Sequence, residues 1–198
     1  MKQNNRPVVL VFAGNDPTGG AGIQADIETL ASLGCHPAPV VTALTVQDTV
    51  GVKHYMPVEA GMVIAQARAV LEDMPVAAFK AGMLGSAENA TALAAIMQDY
   101  PDIPLILDPI LTSGRGGPLA DDALADALQS LLIPQATLVT PNTLEVMQLA
   151  PDADNIDSAA QELLSTGCTF VLVTGTHEKT LEVVNRLYGN RRLLETFH

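Results

Sequence analysis

Six short apolar, β-rich runs recur along the chain, at residues 8–14, 39–45, 77–83, 104–109, 137–140 and 170–174. Between them lie segments with apolar residues at helical spacing: 20–33, 59–74, 87–100, 121–133, 143–149 and 158–166. Parallel neighbours in a sheet need long crossover connections, usually helices, so this alternation predicts an α/β fold with a mostly parallel central sheet and helices on both faces. The near-continuous apolar character of the runs fits strands buried on two sides. Ser86, with Asn89 in the following turn, and Asp121 read as helix starts, and Pro134 as a stop. The end departs from the pattern: 181–188, a Gly189-Asn190 turn and 191–197 predict a hairpin. No linker, repeat or low-complexity tract intervenes, so residues 1–198 read as one domain.

The first run leads into AGNDPTGGAGIQAD at 13–26. Gly14, Gly19, Gly20 and Gly22 are placed to take positive φ and to let a ligand approach the backbone. Ile23, Ile27, Leu30 and Leu33 then recur at threes and fours, so a helix begins near Gly20 with its unpaired amides facing the turn. Such a helix start favours anions or polar rings. The turn is not a Walker loop, since no Gly-Lys-Ser/Thr follows the required spacer, and its glycines are not spaced as in the dinucleotide fingerprint. On the glycines alone, a ligand cradle and a plain tight turn are both open.

Composition narrows the partners. With 48% hydrophobic and 16% charged residues among 198, the chain can bury a substantial core. A formal charge of −12, with ten Lys and Arg spread thinly, excludes a nucleic-acid partner, which needs concentrated positive surface. No apolar run is long enough for a membrane span, and the start MKQNNRP lacks the apolar core of a signal peptide, so no membrane partner and a cytoplasmic location are expected. Cys35 and Cys168 have no metal or redox spacing and read as small buried hydrophobes.

Ligands of open parallel sheets sit at the carboxyl ends of the strands. The polar and glycine residues collect there: Asn15 and Asp16; Thr45, Gln47 and Asp48; Gly82, Met83 and Gly85; Asp108 with 113–117; Asn142 and Glu145; Thr174, Gly175 and His177. Together they predict a pocket rim.

Six segments, AGNDPTGGAGIQAD, TALTVQDTVGV, KAGMLGSAE, LDPILTSG, LVTPNTLE and VLVTGTH, stand in the order and at about the intervals seen in another group of proteins. The chain resembles the hydroxymethylpyrimidine and phosphomethylpyrimidine kinases of thiamine biosynthesis, of the ribokinase-like superfamily, over nearly its whole length. The resemblance implies a three-layer ribokinase-like fold and phosphoryl transfer from ATP, with Mg²⁺, to 4-amino-5-hydroxymethyl-2-methylpyrimidine and then to its monophosphate. It also implies a small-molecule pyrimidine partner and a possible homodimer. A pyridoxal kinase and a non-catalytic pyrimidine-binding domain are the alternative functions.

Gln47 matches the family's substrate-reading glutamine, and a carboxamide offers a donor and an acceptor side by side to an aminopyrimidine edge; a polar strand-end residue hydrogen-bonded to backbone is the competing reading. Gly14 would give the ring access to the backbone, Thr45 a contact beside Gln47, and Met83 either an adaptable apolar wall or core packing. Asp16 either positions the reacting hydroxymethyl group or caps the next helix. Asn142 and Glu145 reproduce an Asn-x-x-Glu element, which assigns them with Thr174 to the nucleotide, and Glu145 with Asp108 to the metal's water shell; for Asp108 a structural carboxylate is the competing reading. Asp26 reads as a solvated or capping carboxylate, and Lys80, a lysine in the family as well, has no assigned role. His36, His54 and His177 have no ligand spacing.

Two departures from the family follow. Thr174 stands where the family typically has lysine, which removes a cation from the ATP phosphates. The Gly-Thr-Gly-Cys segment that supplies the family's anion hole and catalytic base falls beyond His198. No catalytic residue is therefore assigned within the chain, and the C-terminal part of the fold is expected to be missing from it: a native protein that continues past His198 or a truncated one is the favoured reading, and a degenerate paralogue that binds without catalysis is the alternative.

Overall fold

The computed structural model describes residues 6–112, 119–175 and 182–198. Its frame is a nine-stranded sheet in the order β3-β2-β1-β4-β5-β6-β7-β8-β9. In chain order the strands are β1 (Val8–Asn15), β2 (His36–Gln47), β3 (Val52–Pro57), β4 (Val76–Ala81), β5 (Leu105–Leu107), β6 (Leu138–Val139), β7 (Phe170–Val173), β8 (Asn185–Gly189) and β9 (Arg192–Phe197). The helices are α1 (Gly22–Ser32), α2 (Ala60–Asp73), α3 (Ala87–Asp99), α4 (Asp122–Ala127), α5 (Thr143–Leu149) and α6 (Ile156–Thr166). All pairings from β2 across to β7 are parallel, while β3, β8 and β9 pair antiparallel.

The expected α/β architecture is present, with helices on both faces. Alternation along β1 divides it: Val9, Val11 and Ala13 meet Ile23 and Leu30 of α1, and Val8, Leu10 and Phe12 enter the main core. That core takes Val63 and Ala67 from α2, Leu93 and Ile96 from α3, and Leu163 from α6. Ser86 and Asp121 cap their helices as expected, accepting from the amides of Asn89 (3.3 Å) and Leu124 (2.9 Å).

Several expectations need correction. β3 has no counterpart among the six apolar runs, because as an edge strand it carries Lys53 and His54 outward. Leu33 falls outside α1 and is 73% exposed, so the apolar face of that helix ends at Leu30. The segment expected as one helix over 121–133 is α4 followed by a π turn at Leu128–Leu132 and a 3-10 turn at Ile133–Gln135. Pro134 lies inside that last turn; lacking an N–H, it cannot continue the α ladder, and the chain leaves by wider and then tighter turns.

The closing hairpin turns on Asn190 and Arg191, both at positive φ (50° and 57°), with Gly189 still paired to Arg192 in the ladder. Gly189 is required for another reason: a Cβ there would stand 2.7 Å from the Phe170 ring. Cys168 is buried, donates to the Leu163 carbonyl at 3.3 Å, and has its thiol pushed up to about 11 by burial. Cys35 is half-buried against β1.

Candidate active site

The chain leaves β1 towards β2 on one side and resumes at β4 on the other, so strand order reverses around β1. Crevices at such a point, beyond the carboxyl ends of the strands, are where open α/β sheets bind ligands. A cavity of about 460 Å³ opens there, a size suited to a small-molecule ligand.

Its first wall is the turn after β1. Asp16 Oδ1 accepts from the Thr18 amide at 2.8 Å and from its hydroxyl at 2.9 Å, and the Gly19 amide donates to the Asp16 carbonyl at 3.1 Å. Positive φ occurs at Gly19 and Gly22 but not at Gly14 or Gly20. A Cβ on Gly22 would lie 2.3 Å from the Gly14 carbonyl oxygen, so the start of α1 can rest on the end of β1 only through glycine. At Gly14 the missing side chain instead makes room for the Met83 sulfur, which a Cβ would meet at 3.3 Å. The N-cap of α1 is Ala21, without a side-chain cap, whereas α2 to α6 are capped by Glu59, Ser86, Asp121, Asn142 and Asn155. Asp16 is therefore not an N-cap, and Ala21, Gly22 and Ala25 at the start of α1 line the cavity.

The second wall is the β2–β3 ribbon. Period-two alternation sends Leu44 and Val46 outward, 46% and 57% exposed, and turns Thr45 and Gln47 to the cavity. The Thr45 hydroxyl donates to the Asn15 carbonyl at 2.6 Å, tying this wall to the first. Gln47 is half-buried, and among the described residues its carboxamide has no hydrogen-bond partner. Asp48 belongs to the turn rather than to the cavity: it accepts from the Val50 and Gly51 amides and pairs with Lys53 at 2.7 Å. That pairing first, and the amides second, hold its carboxyl down at about 2.

The floor is charged. Lys80, on β4, meets Asp26, on α1, at 3.0 Å, with their side chains 23% and 18% exposed. Asp26 is thus neither solvated nor a cap, and Lys80 acquires a place beside it in the cavity lining. The signal for both was present in the sequence: a lysine inside an apolar strand needs a partner, and Asp26 lies on the same face of α1 as Ile23 and Gly22. Burial raises the Asp108 carboxyl above its usual range; Lys80 opposes this, Asp26 adds to it, and a hydrogen bond with Thr140 opposes it. Burial also raises Glu145, with the Asn142 and Leu111 amides opposing and Asp108 adding.

Asn142 and Glu145 form a capping box at the start of α5. The Asn142 side chain accepts from the amides of Leu144 and Glu145 at 2.9 Å each, and Glu145 Oε2 accepts from the Asn142 amide at 2.9 Å. Glu145 Oε1 accepts from the Leu111 amide at 3.3 Å. Thr174 is held beside Asn142, its amide donating to the Pro141 carbonyl at 2.9 Å.

The cavity brings together Gly14, Asp16, Thr45, Gln47, Met83, Asp108, Asn142, Glu145 and Thr174, every site residue expected from the sequence. Of the expected rim, Asp48, Gly82, Gly85 and Gly175 do not line it, and Ser113 to Gly117 and His177 lie outside the described residues. Among the described residues no three His, Cys, Asp or Glu side chains form a metal cluster, and His36 and His54 are exposed. Mg²⁺ prefers one or two carboxylates and several waters to a cage of protein ligands, and Asp108 and Glu145 both line the cavity, although each Glu145 oxygen already accepts a backbone amide.

A mostly parallel sheet with this order, helices on both faces and a site at the reversal around β1 define a ribokinase-like small-molecule kinase fold. A family profile described as phosphomethylpyrimidine kinase matches residues 16–198, and the chain belongs to that family. It is 43% identical over 176 residues to the hydroxymethylpyrimidine/phosphomethylpyrimidine kinase of Mycobacterium tuberculosis (strain ATCC 25618 / H37Rv), covering 86% of this chain and 64% of that protein. The chain therefore spans a little under two thirds of the length of that curated relative. The crystal structure of phosphomethylpyrimidine kinase from Clostridium difficile 630 superposes with a TM-score of 0.87 at 33% identity, over 97% of this chain and 84% of that one. An ADP complex of Bacillus subtilis pyridoxal kinase superposes with a TM-score of 0.84 at 26% identity, over 97% and 74%.

Proposed function

We propose that the chain, as one domain, belongs to an ATP-dependent kinase that phosphorylates 4-amino-5-hydroxymethyl-2-methylpyrimidine and its monophosphate, in the cytoplasm, without nucleic-acid or membrane partners and possibly as a homodimer. The observation that carries this reading is the carboxamide of Gln47, without a hydrogen-bond partner among the described residues, lining the same cavity of about 460 Å³ as Gly14 and Met83. An aminopyrimidine edge presents a donor and an acceptor that a carboxamide complements, and the Met83 side chain supplies an apolar surface for the ring face.

The remaining residues divide by charge. Asp16, fixed by Thr18, and Asp26, fixed by Lys80, are the acceptors available to a substrate hydroxyl. The uncapped start of α1 directs amides into the same space, where negative charge from a phosphorylated substrate is favoured. Asn142 and Thr174 are the candidate nucleotide contacts at the far end. Asp108 is the candidate carboxylate for Mg²⁺; Glu145, with each oxygen already accepting a backbone amide, contributes charge and the position of Asn142. ATP would supply the phosphoryl group and Mg²⁺ would offset its charge.

The test is titration of the purified chain with the pyrimidine, followed by a search for phosphorylated product with ATP and Mg²⁺. Saturable binding with product supports the kinase. Saturable binding without ATP consumption would make the chain a binding domain, and preference for pyridoxal over the pyrimidine would reassign the substrate.

A further inference from the structure

Two fully buried polar side chains, Thr42 and Asn89, do not line the cavity, yet both are bonded to the segment that carries Met83. The Thr42 hydroxyl donates to the Met83 carbonyl at 2.5 Å. The Asn89 amide nitrogen lies within hydrogen-bonding distance of three carbonyls, those of Leu84 (2.9 Å), Thr42 (3.1 Å) and Val58 (3.2 Å). Its oxygen is buried and has no partner among the described residues, so the side chain works through its N–H groups. The carbonyls it gathers belong to β2, to the exit of β3 and to the segment after β4, which are the supports of the two facing walls.

We propose that Thr42 and Asn89 are positioning residues that set the width of the slot between Met83 and the Gln47 ribbon, and so fix how tightly a planar nitrogen heterocycle is held. The slot has little slack. The Met83 sulfur is already within 3.3 Å of where a Gly14 side chain would begin, and a Cβ on Gly85 would meet the Ala43 side chain at 3.1 Å. Releasing the Met83 carbonyl from Thr42 lets that wall move relative to Gln47, and a ligand read from both sides then loses one of its two registers. This inference rests on the proposed pyrimidine site.

Thr42→Val removes the hydroxyl at nearly constant volume, and Thr42→Ser restores it. Binding of 4-amino-5-hydroxymethyl-2-methylpyrimidine is measured by calorimetry well below the melting temperature, together with the ¹³C-methyl methionine spectrum of the ligand-free chain, in which Met83→Leu assigns the Met83 resonance. The expected result is affinity weakened about tenfold or more in Thr42→Val, near wild-type affinity in Thr42→Ser, and a displaced Met83 resonance only in the former. A lower melting temperature with unchanged affinity would make the network a stability device and overturn the proposal. If the wild-type chain does not bind the pyrimidine, the functional reading fails, and the Met83 resonance decides separately: displaced in Thr42→Val upholds the positioning role, unmoved overturns it. Should Thr42→Val not fold, Thr42→Ala carries the same measurements.

Discussion

Gln47 ends β2 at a bulge, where the register with β3 shifts between Val46 and Gln47 and the side chain is turned into the cavity. Because its carboxamide has no protein partner among the described residues, replacing it should cost binding far more than stability. Gln47→Leu is expected to weaken pyrimidine affinity by about 1–3 kcal/mol by leaving the polar edge of the ligand unpaired, with an unchanged melting curve. Calorimetry on the purified variant checks this; unaltered affinity would remove Gln47 from the site. Asp108 behaves in the opposite way. Burial raises its carboxyl, so the folded chain binds that proton more tightly than the unfolded one. The sign follows by linkage: the stability this group contributes is full below its ordinary value and is lost as pH rises through the raised one. Asp108→Asn removes the buried charge, and its melting temperature should exceed that of the wild type at pH 7.5, with the gain shrinking as pH falls towards 4. Mg²⁺-dependent turnover should fall in the same variant, since a cavity-lining carboxyl raised by burial beside the Lys80–Asp26 pair is a candidate functional group. A gain that does not depend on pH would mean that burial of the charge is not its source.

Elements differ in how plainly the sequence announces them. The strands buried on both faces are continuous apolar runs, and the helices between them carry their caps in Ser86, Asp121 and Asn142, so architecture and cavity rim could be read before the fold was seen. β3 could not, because an edge strand with Lys53 and His54 on it lacks the apolar continuity that identified the rest. The Lys80–Asp26 pair is only half legible: each residue signals that it needs a partner, but the two lie 54 positions apart, and only the crossover from β1 through α1 to β4 matches them. The closing hairpin is legible in the sequence, but the pattern places its turn one residue too early, since Gly189 looks like a turn glycine while serving to clear Phe170. The two residues that do take positive φ are Asn190, which tolerates it, and Arg191, which does not gain from it. Arg191 is exposed, so replacing it relieves backbone strain without disturbing packing. Arg191→Gly is expected to stabilise the chain by about 0.5–1 kcal/mol, raising the melting temperature by about 1–4 °C. An unchanged or lower value would mean that loss of backbone freedom in the unfolded chain, which glycine increases, outweighs the relief.

At the scale of the whole molecule, the main apolar cluster among the described residues runs continuously from Val8 on β1 through Phe79, Leu107, Val139 and Val171 to Tyr188 on β8. The cavity draws residues from β1, β2, β4, α1 and α5, so its walls hold their spacing only while the sheet is intact across its width. A chain organised in this way should lose both edges of the sheet together. The sequence provides the probes: there is no tryptophan, and the three tyrosines include Tyr55 on β3 and the fully buried Tyr188 on β8, near opposite edges. In urea, the tyrosine fluorescence of Tyr55→Phe and Tyr188→Phe should each follow the far-ultraviolet dichroism of the same variant through a single transition, with a slope of about 1–3 kcal/mol per molar urea. The midpoints of the two variants differ by whatever stability each substitution removes, so the test is coincidence of probes within a variant rather than equality between them. Separate midpoints for fluorescence and dichroism in either variant would divide the chain into units that unfold independently, and the pyrimidine cavity would then sit in the β1–β4 unit with its far end, at Asn142 and Thr174, supplied by the other.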